Sequence, residues 1–213
     1  MIINIKVKIC GITNMDDAQA AFDLGADMLG FNFYPESPRY IHPDEAVKII
    51  RKLPTFLDSV GLFVNADLDA IKAVAETGYF NWIQLHGDET PDFCDRVQFA
   101  NIRTIKAIRV STEADVNKAG DFYTYAVLLD AFCPDQYGGT GQQFDWQWIK
   151  NLPKRIFLAG GITPDNVAKA IGAGVYGIDI CSGIESAPGQ KDHDKMKRLF
   201  DVIRHTTGLK AVS

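Results

Sequence analysis

Lys6-Val7-Lys8-Ile9-Cys10-Gly11-Ile12-Thr13 alternates polar and apolar side chains until it breaks at a glycine. Successive side chains of a strand point to opposite faces, so Ile5, Val7 and Ile9 share one side and Lys6, Lys8 and Cys10 the other. The apolar side suits helices laid against it. The other side turns into a barrel or crevice, where a lysine and a cysteine are unusual unless something uses them. A thiol therefore arrives at the strand's carboxyl end behind two cations. Taken alone, Cys10 fits two roles: a catalytic group, or a small buried thiol that packs as a hydrophobe, the commoner fate of free cysteine.

Outward from this strand the same unit recurs. Asn14 precedes a helix at 15–25 with early acids and a closing glycine. Residues 26–33 read as a second strand, and a loop stiffened by Pro35 and Pro38 leads to a helix that begins near Pro43 and runs through Ile50. Further strands are expected at 58–64, 82–87, 103–110, 125–130, 155–161 and 175–181. Helices are expected at 68–76, 91–96, 112–119, 145–150 and 164–171, with an amphipathic stretch at 192–203.

Eight strand-helix units with short connections point to a parallel sheet covered by helices. Eight is also the number that closes a (β/α)8 TIM barrel, and 213 residues is close to the shortest length for one. With no composition break to mark a linker, residues 1–213 are expected to form a single α/β barrel domain. An open doubly wound sheet shares this periodicity. The polar residues gathered at the carboxyl ends favour the barrel, whose chemistry lies at that rim.

A hydrophobic fraction of 46% with 23% charged residues excludes a disordered or fibrous chain. The net charge of -5 gives no general attraction to nucleic acid or an anionic membrane, so an anionic ligand must be held by local groups. Cys10, Cys94, Cys133 and Cys181 are scattered, with no C-x-x-C pair and no histidines at metal-ligand spacing, so no metal site is expected. No run approaches the roughly 18 apolar residues of a membrane span. No apolar leader opens the chain, and the expectation is a cytoplasmic protein with reduced thiols.

The expected strand ends carry the candidate chemistry. In Gly160-Gly161-Ile162-Thr163-Pro164 the glycines permit close backbone approach, Thr163 is placed to cap a helix and Pro164 suits its first turn. Cys181-Ser182-Gly183 ends the next strand. Two adjacent loops of this kind make an anion cradle where barrels commonly hold phosphate, so a phosphorylated small molecule is expected against Gly160, Gly161, Ser182 and Gly183. The same glycines also serve simply to end strands.

Asp130 follows a wholly apolar run and needs a partner or a purpose. It is the natural acid, or else it caps its loop or pairs with Lys8. Arg39, between Pro38 and Tyr40, is either a bidentate clamp for a carboxylate or a solvated surface residue. His86 shares strand parity with Gln84 and reads more readily as a hydrogen-bonded part of the mouth than as a proton carrier. Asp179 has inward parity near the phosphate loop and is expected to orient backbone or Lys8. Trp82, Trp146 and Trp148 read as packing residues.

Together these residues resemble the phosphoribosylanthranilate isomerase family of tryptophan biosynthesis. The likeness runs through Lys8-Ile9-Cys10-Gly11-Ile12, Ser37-Pro38-Arg39-Tyr40, Gln84-Leu85-His86-Gly87, Leu129-Asp130 and Gly138-Gly139-Thr140-Gly141 with Phe144-Asp145-Trp146. It continues in Leu158-Ala159-Gly160-Gly161-Ile162 and Gly183-Ile184-Glu185. The resemblance implies the (β/α)8 fold, no cofactor, and an Amadori rearrangement with Cys10 as general base and Asp130 as general acid. It makes Arg39 the clamp on the anthranilate carboxylate. Cys181 departs from the family, which more usually has serine there, and a thiol donates more weakly.

The chemistry of the residues agrees. Opening the ribose ring needs a proton on the ring oxygen as its C–O bond breaks, which is work for a carboxylic acid. The resulting iminium acidifies the adjacent C2 hydrogen for removal by a thiolate. An ordinary cysteine is mostly thiol at neutral pH, so a cation should help, and Lys8 is the candidate by parity.

Two rivals remain at this level. Another phosphate-binding barrel, such as indoleglycerol-phosphate synthase, would bring a longer amino-terminal extension and catalytic lysine and glutamate; an epimerase would bring a metal cluster. A non-catalytic phosphosugar-binding barrel could dispense with Cys10 and Asp130. The loop 131–143, with Gly138, Gly139 and Gly141, is suited to close as a lid. Sequence leaves open monomer against homodimer, and tolerance of the related histidine-pathway aminoaldose.

Overall fold

Eight strands hydrogen-bond side by side in chain order and the eighth returns to the first, closing a wholly parallel barrel. They are β1 (Lys6–Cys10), β2 (Met28–Asn32), β3 (Asp58–Phe63), β4 (Trp82–Leu85), β5 (Arg103–Val110), β6 (Ala126–Ala131), β7 (Ile156–Leu158) and β8 (Gly177–Ile180). The chain is seen in a computed structural model that describes residues 4–97, 102–131, 143–149 and 152–208. Most of the expected lid, and Cys133, lie outside the described residues.

The helices that cover the barrel are α1 (Met15–Leu24), α2 (Pro43–Ile50), α3 (Leu68–Ala75), α4 (Pro91–Arg96), α5 (Glu113–Asn117), α6 (Val167–Gly172) and α7 (His193–Thr207). Their ends follow local chemistry. Asn14 Oδ1 accepts from Asp17 N at 2.8 Å to start α1, and Gly25 ends it with φ of 105°, a left-handed conformation that costs glycine little.

Three expected helices are altered, and the one at 112–119 is α-helical only through Asn117 before it tightens to a 3₁₀ turn, Lys118–Asp121. Residues 145–150 give a 3₁₀ turn, Trp146–Ile149, because Asp145 satisfies the first amides itself: its side chain accepts from Gln147 N and its carbonyl from Trp148 N. The helix expected from Pro164 starts at Val167. Thr163 holds the turn that leads into it, its Oγ1 accepting from Asp165 N at 3.2 Å and its carbonyl from Val167 N at 3.0 Å, while the Asn166 side chain reaches back to accept from Thr163 N at 2.8 Å and donate to Gly161 O at 2.8 Å.

Strand parity divides the core in two. Val7, Ile9, Leu29, Phe31, Ile83, Leu129 and Ile178 face outward and pack with helix residues such as Ala18, Ile71 and Leu199. Met28, Val60, Trp82, Ile105, Leu128 and Phe157 fill the barrel. Its amino-terminal end is filled by aromatic rings under cations. Trp82 meets Tyr125 edge-on at 5.0 Å and Phe157 meets Tyr176 at 5.4 Å, while Arg103 lies over Trp82 and Arg155 over Tyr125. The polar interior is thereby left at the carboxyl end.

After β8 comes a hairpin that the sequence reading did not anticipate, β9 (Glu185–Ala187) and β10 (Gln190–Lys191). Asp17 anchors it by accepting from Lys191 N at 2.9 Å and sharing a 2.7 Å contact with His193 Nε2. The first turns of α1 and α7 are thus tied together beside the barrel mouth. Among the described residues no helix is long and apolar enough to cross a membrane.

Candidate active site

Lys8 and Cys10 point inward on β1, Gln84 and His86 at the end of β4, Asp130 on β6 and Asp179 on β8, all buried around the carboxyl end. Parity sets this: neighbours in register, such as Lys8 and Asp179, share a face. A missing side chain on β2 makes room. A Cβ added at Gly30 would lie 2.8 Å from Cys10 Sγ and 3.0 Å from Lys8 Nζ. Those distances also hold sulfur and ammonium within about 6 Å of each other, close enough for a strong Coulomb interaction in a buried site.

The charges around the thiol favour its ionised form. Cys10 is held well below the usual cysteine range, first by its neighbour Cys181 and then, against the penalty of burial, by Lys8 and Lys191. Lys8 donates to Asp179 Oδ1 at 2.9 Å. Burial works against the ammonium, but Asp179 and Cys10 outweigh it and keep Lys8 firmly charged. Asp179 absorbs the strain: burial, with Cys10 and Asp130 adding to it, pushes its carboxyl up to about 7 despite Lys8. Cys181 moves the other way from Cys10, raised well above the ordinary thiol by Cys10 and by burial.

Asp130 lies on the other side of the mouth, with β7 and β8 between it and β1 on the shorter path. Its Oδ1 accepts from Ala131 N at 2.9 Å, and Oδ2 faces His86 Nε2 at 3.4 Å. Gln84 Nε2 sits 2.8 Å from His86 Nδ1. That contact orients the ring, and it leaves Nε2 buried, near Asp130 Oδ2 and, among the described residues, without a hydrogen bond of its own. Gly160, at φ of 85°, is crowded against this carboxylate: a Cβ there would lie 3.0 Å from Asp130 Oδ1 and 2.8 Å from Ala131 N.

The two glycine loops meet beside this pair. Gln143 Nε2 and Asn166 Nδ2 both donate to Gly161 O, fixing that peptide. Ser182 and Gly183 open a 3₁₀ turn, Ser182–Ile184, so their amides have no intrahelical acceptor. Gly183 is packed so closely that a Cβ would overlap the Ile162 carbonyl, joining the two loops. Among the described residues no group of three His, Cys, Asp or Glu side chains is arranged to hold a metal ion.

Arg39 reaches the same rim and is not free. Its Nε and Nη2 donate to Glu185 at 2.9 and 2.7 Å, while Lys191 Nζ donates to the same carboxylate at 2.9 Å. These cations hold the Glu185 carboxyl below its ordinary range against the effect of burial. Lys191 also lies 3.8 Å from Cys181 Sγ.

The family model for N-(5'-phosphoribosyl)anthranilate (PRA) isomerase matches residues 7–202 of this sequence. The chain belongs to the PRA isomerase family. An N-(5'-phosphoribosyl)anthranilate isomerase from Trichlorobacter lovleyi is 48% identical over 200 residues, 92% of this chain and 96% of the relative. The crystal structure of phosphoribosyl anthranilate isomerase from Thermus thermophilus superposes with a TM-score of 0.87 at 34% identity, over 94% of this chain and 99% of that one. A further PRA isomerase structure, at TM-score 0.84 and 38% identity over 95% of this chain and 100% of that one, is a complex with reduced 1-(o-carboxyphenylamino)-1-deoxyribulose 5-phosphate. The TIM barrel expected from periodicity is the fold of this PRA isomerase chain.

Two residues of the rim escaped the sequence reading. Glu185 closes the Gly183-Ile184-Glu185 stretch with no role of its own in sequence, and Lys191 carries no sequence signal. Both are buried, Glu185 at 8% exposure and Lys191 at 6%. The signal available was Glu185 itself, a carboxylate close behind the Ser182-Gly183 loop of a PRA isomerase.

Proposed function

We propose that the chain converts N-(5'-phosphoribosyl)anthranilate to 1-(2-carboxyphenylamino)-1-deoxyribulose 5-phosphate, without a cofactor, as a step of tryptophan biosynthesis. The observation that carries this reading is the placement of Cys10 and Asp130 on opposite sides of one polar mouth, in a chain of this family. Asp130, protonated, gives its proton to the ribose ring oxygen as the C1–O bond breaks, and the anilino nitrogen's lone pair forms the iminium. Cys10, as thiolate, removes the C2 proton from the opposite side. The enolamine formed then takes a proton at C1 and loses the one on the C2 hydroxyl, which leaves the ketone.

The other residues hold the substrate. The amides around Gly160, Gly161, Ser182 and Gly183 receive the phosphate, with partial positive charge aimed at it and no lysine spent. Arg39 takes the anthranilate carboxylate on the part of its guanidinium that Glu185 leaves unused. His86 turns Nε2 toward Asp130 and the sugar, while Lys8 and Asp179 set the field around the thiolate. Residues 1–213 act as one domain, in the cytoplasm.

The test is direct. Purified protein mixed with phosphoribosylanthranilate, with no metal or nucleotide added, should remove the anthranilate-type fluorescence with saturation kinetics. No turnover by the parent protein, or turnover at the parent rate by Cys10→Ala, would overturn the proposal.

A further inference from the structure

We propose that Cys10 and Cys181 form a peroxide-sensitive pair at the barrel mouth, closing to a reversible disulfide that takes the catalytic thiol out of use. Ile9 pairs with Ile180 across β1 and β8, so Cys10 and Cys181 are the next residues on the two adjacent strand ends. They are the first residues past the last paired position, where strands lie about 4.8 Å apart, a spacing within the Cα separation that a disulfide spans. Both side chains pack in one small cluster with Leu62, Val64 and Tyr34. Cys181 has left the strand, with φ of -132° and ψ of -90°, so its backbone is not held by the ladder. Gly11 gives it space: a Cβ there would lie 3.0 Å from Cys181 Sγ.

The surroundings divide the labour between the two sulfurs. Lys8 and Lys191 favour the thiolate at Cys10, which is the form that attacks a peroxide. Cys181 stays a thiol, with Glu185 Oε1 at 3.7 Å and Lys191 Nζ at 3.8 Å. In the first step the Cys10 sulfur bonds to one peroxide oxygen, the O–O bond breaks, and the leaving oxygen takes a proton to become water or an alcohol. In the second the Cys181 sulfur attacks Cys10, the S–O bond breaks, and hydroxide leaves with the Cys181 proton as water. Two thiols have given two electrons to the peroxide. A dithiol reverses this by exchange.

Pairing of the sulfurs rests on this geometry and on the cations beside Cys10; only the loss of turnover rests on Cys10 being the base. Cys94 serves as an internal control, since burial pushes its thiol up to about 11 and keeps it unreactive. Parent protein and Cys181→Ser are treated with hydrogen peroxide, blocked with iodoacetamide, and digested without reduction. Half of each treated sample is assayed after dithiothreitol, relative to its own untreated activity.

The parent should yield a linked Cys10–Cys181 peptide, lose turnover in proportion to it, and regain most of it with dithiothreitol. Cys181→Ser should instead carry sulfinic or sulfonic acid at Cys10 and stay inactive after reduction. Cys10 over-oxidised in the parent with no linked peptide overturns the pair, and so does full recovery of Cys181→Ser. A linked peptide formed with turnover intact upholds the pair and overturns Cys10 as the base.

Discussion

Replacing Lys8 by methionine removes the cation nearest the Cys10 sulfur. The two groups lie within about 6 Å, and at an effective dielectric of about 20 a unit charge at that distance is worth about 3 kcal/mol, or about 2 pKa units. Part of this is returned. Asp179, at about 7 with its partner present, takes up a proton when Lys8 is gone, and a negative neighbour of the thiolate disappears with it. The net rise expected for Cys10 is therefore about 1 to 2 units. The sign follows from ionisation: a thiol held low stays a thiolate as pH falls, until pH passes its pKa. The acid limb of kcat/KM should then move to higher pH by the same amount in the variant. The assay is the iodoacetamide alkylation rate against pH, resolved by peptide so that Cys181 and Cys94 are counted separately. Circular dichroism checks that the barrel still folds. An unchanged or lowered Cys10 pKa in a folded Lys8→Met protein would refute the electrostatic account of this site.

Three other outcomes are expected. Asp130→Asn should lower kcat by about 10² to 10⁴ while a reduced product analogue still binds within a few-fold, measured by calorimetry; loss of binding equal to the loss of rate would remove Asp130 from the acid role. Gly183→Ala forces a methyl group onto the Ile162 carbonyl and should raise KM about tenfold or more through disturbed phosphate contacts, so an unaltered KM would discount the cradle. In Gly177→Ala the new methyl meets the buried Phe157 ring and lies 3.0 Å from the Lys6 carbonyl. The barrel should lose about 1–3 kcal/mol by overpacking, seen as a Tm lower by about 2–4 °C per kcal/mol, and an unmoved melting curve would contradict this.

Strand parity is what made the mouth readable from sequence. Period-two alternation is nearly independent of context, so Lys8, Cys10, Gln84, His86 and Asp179 could be grouped by face before any coordinates, while Asp130 stood out as the one carboxylate at the end of an apolar run. Connections were less legible because side chains compete there with the backbone: Asp145 tightened a helix into a 3₁₀ turn, and Asn166 drew back to the Gly161 peptide while Thr163 held the turn before the helix. The Glu185 hub was hidden for a different reason. Arg39 meets it across 146 residues of chain, and Lys191 reaches it through a short hairpin with no apolar pattern of its own. Pairings of that separation leave no local signature.

The ring-and-guanidinium plug at the base of the barrel has a kinetic corollary. A tunnel stoppered at one end has a single doorway, so an arriving reactant and a departing ketose must pass the same residues in turn. Product left in solution should then compete with substrate for the vacant site, and slow departure would cap the turnover number however fast the proton transfers run.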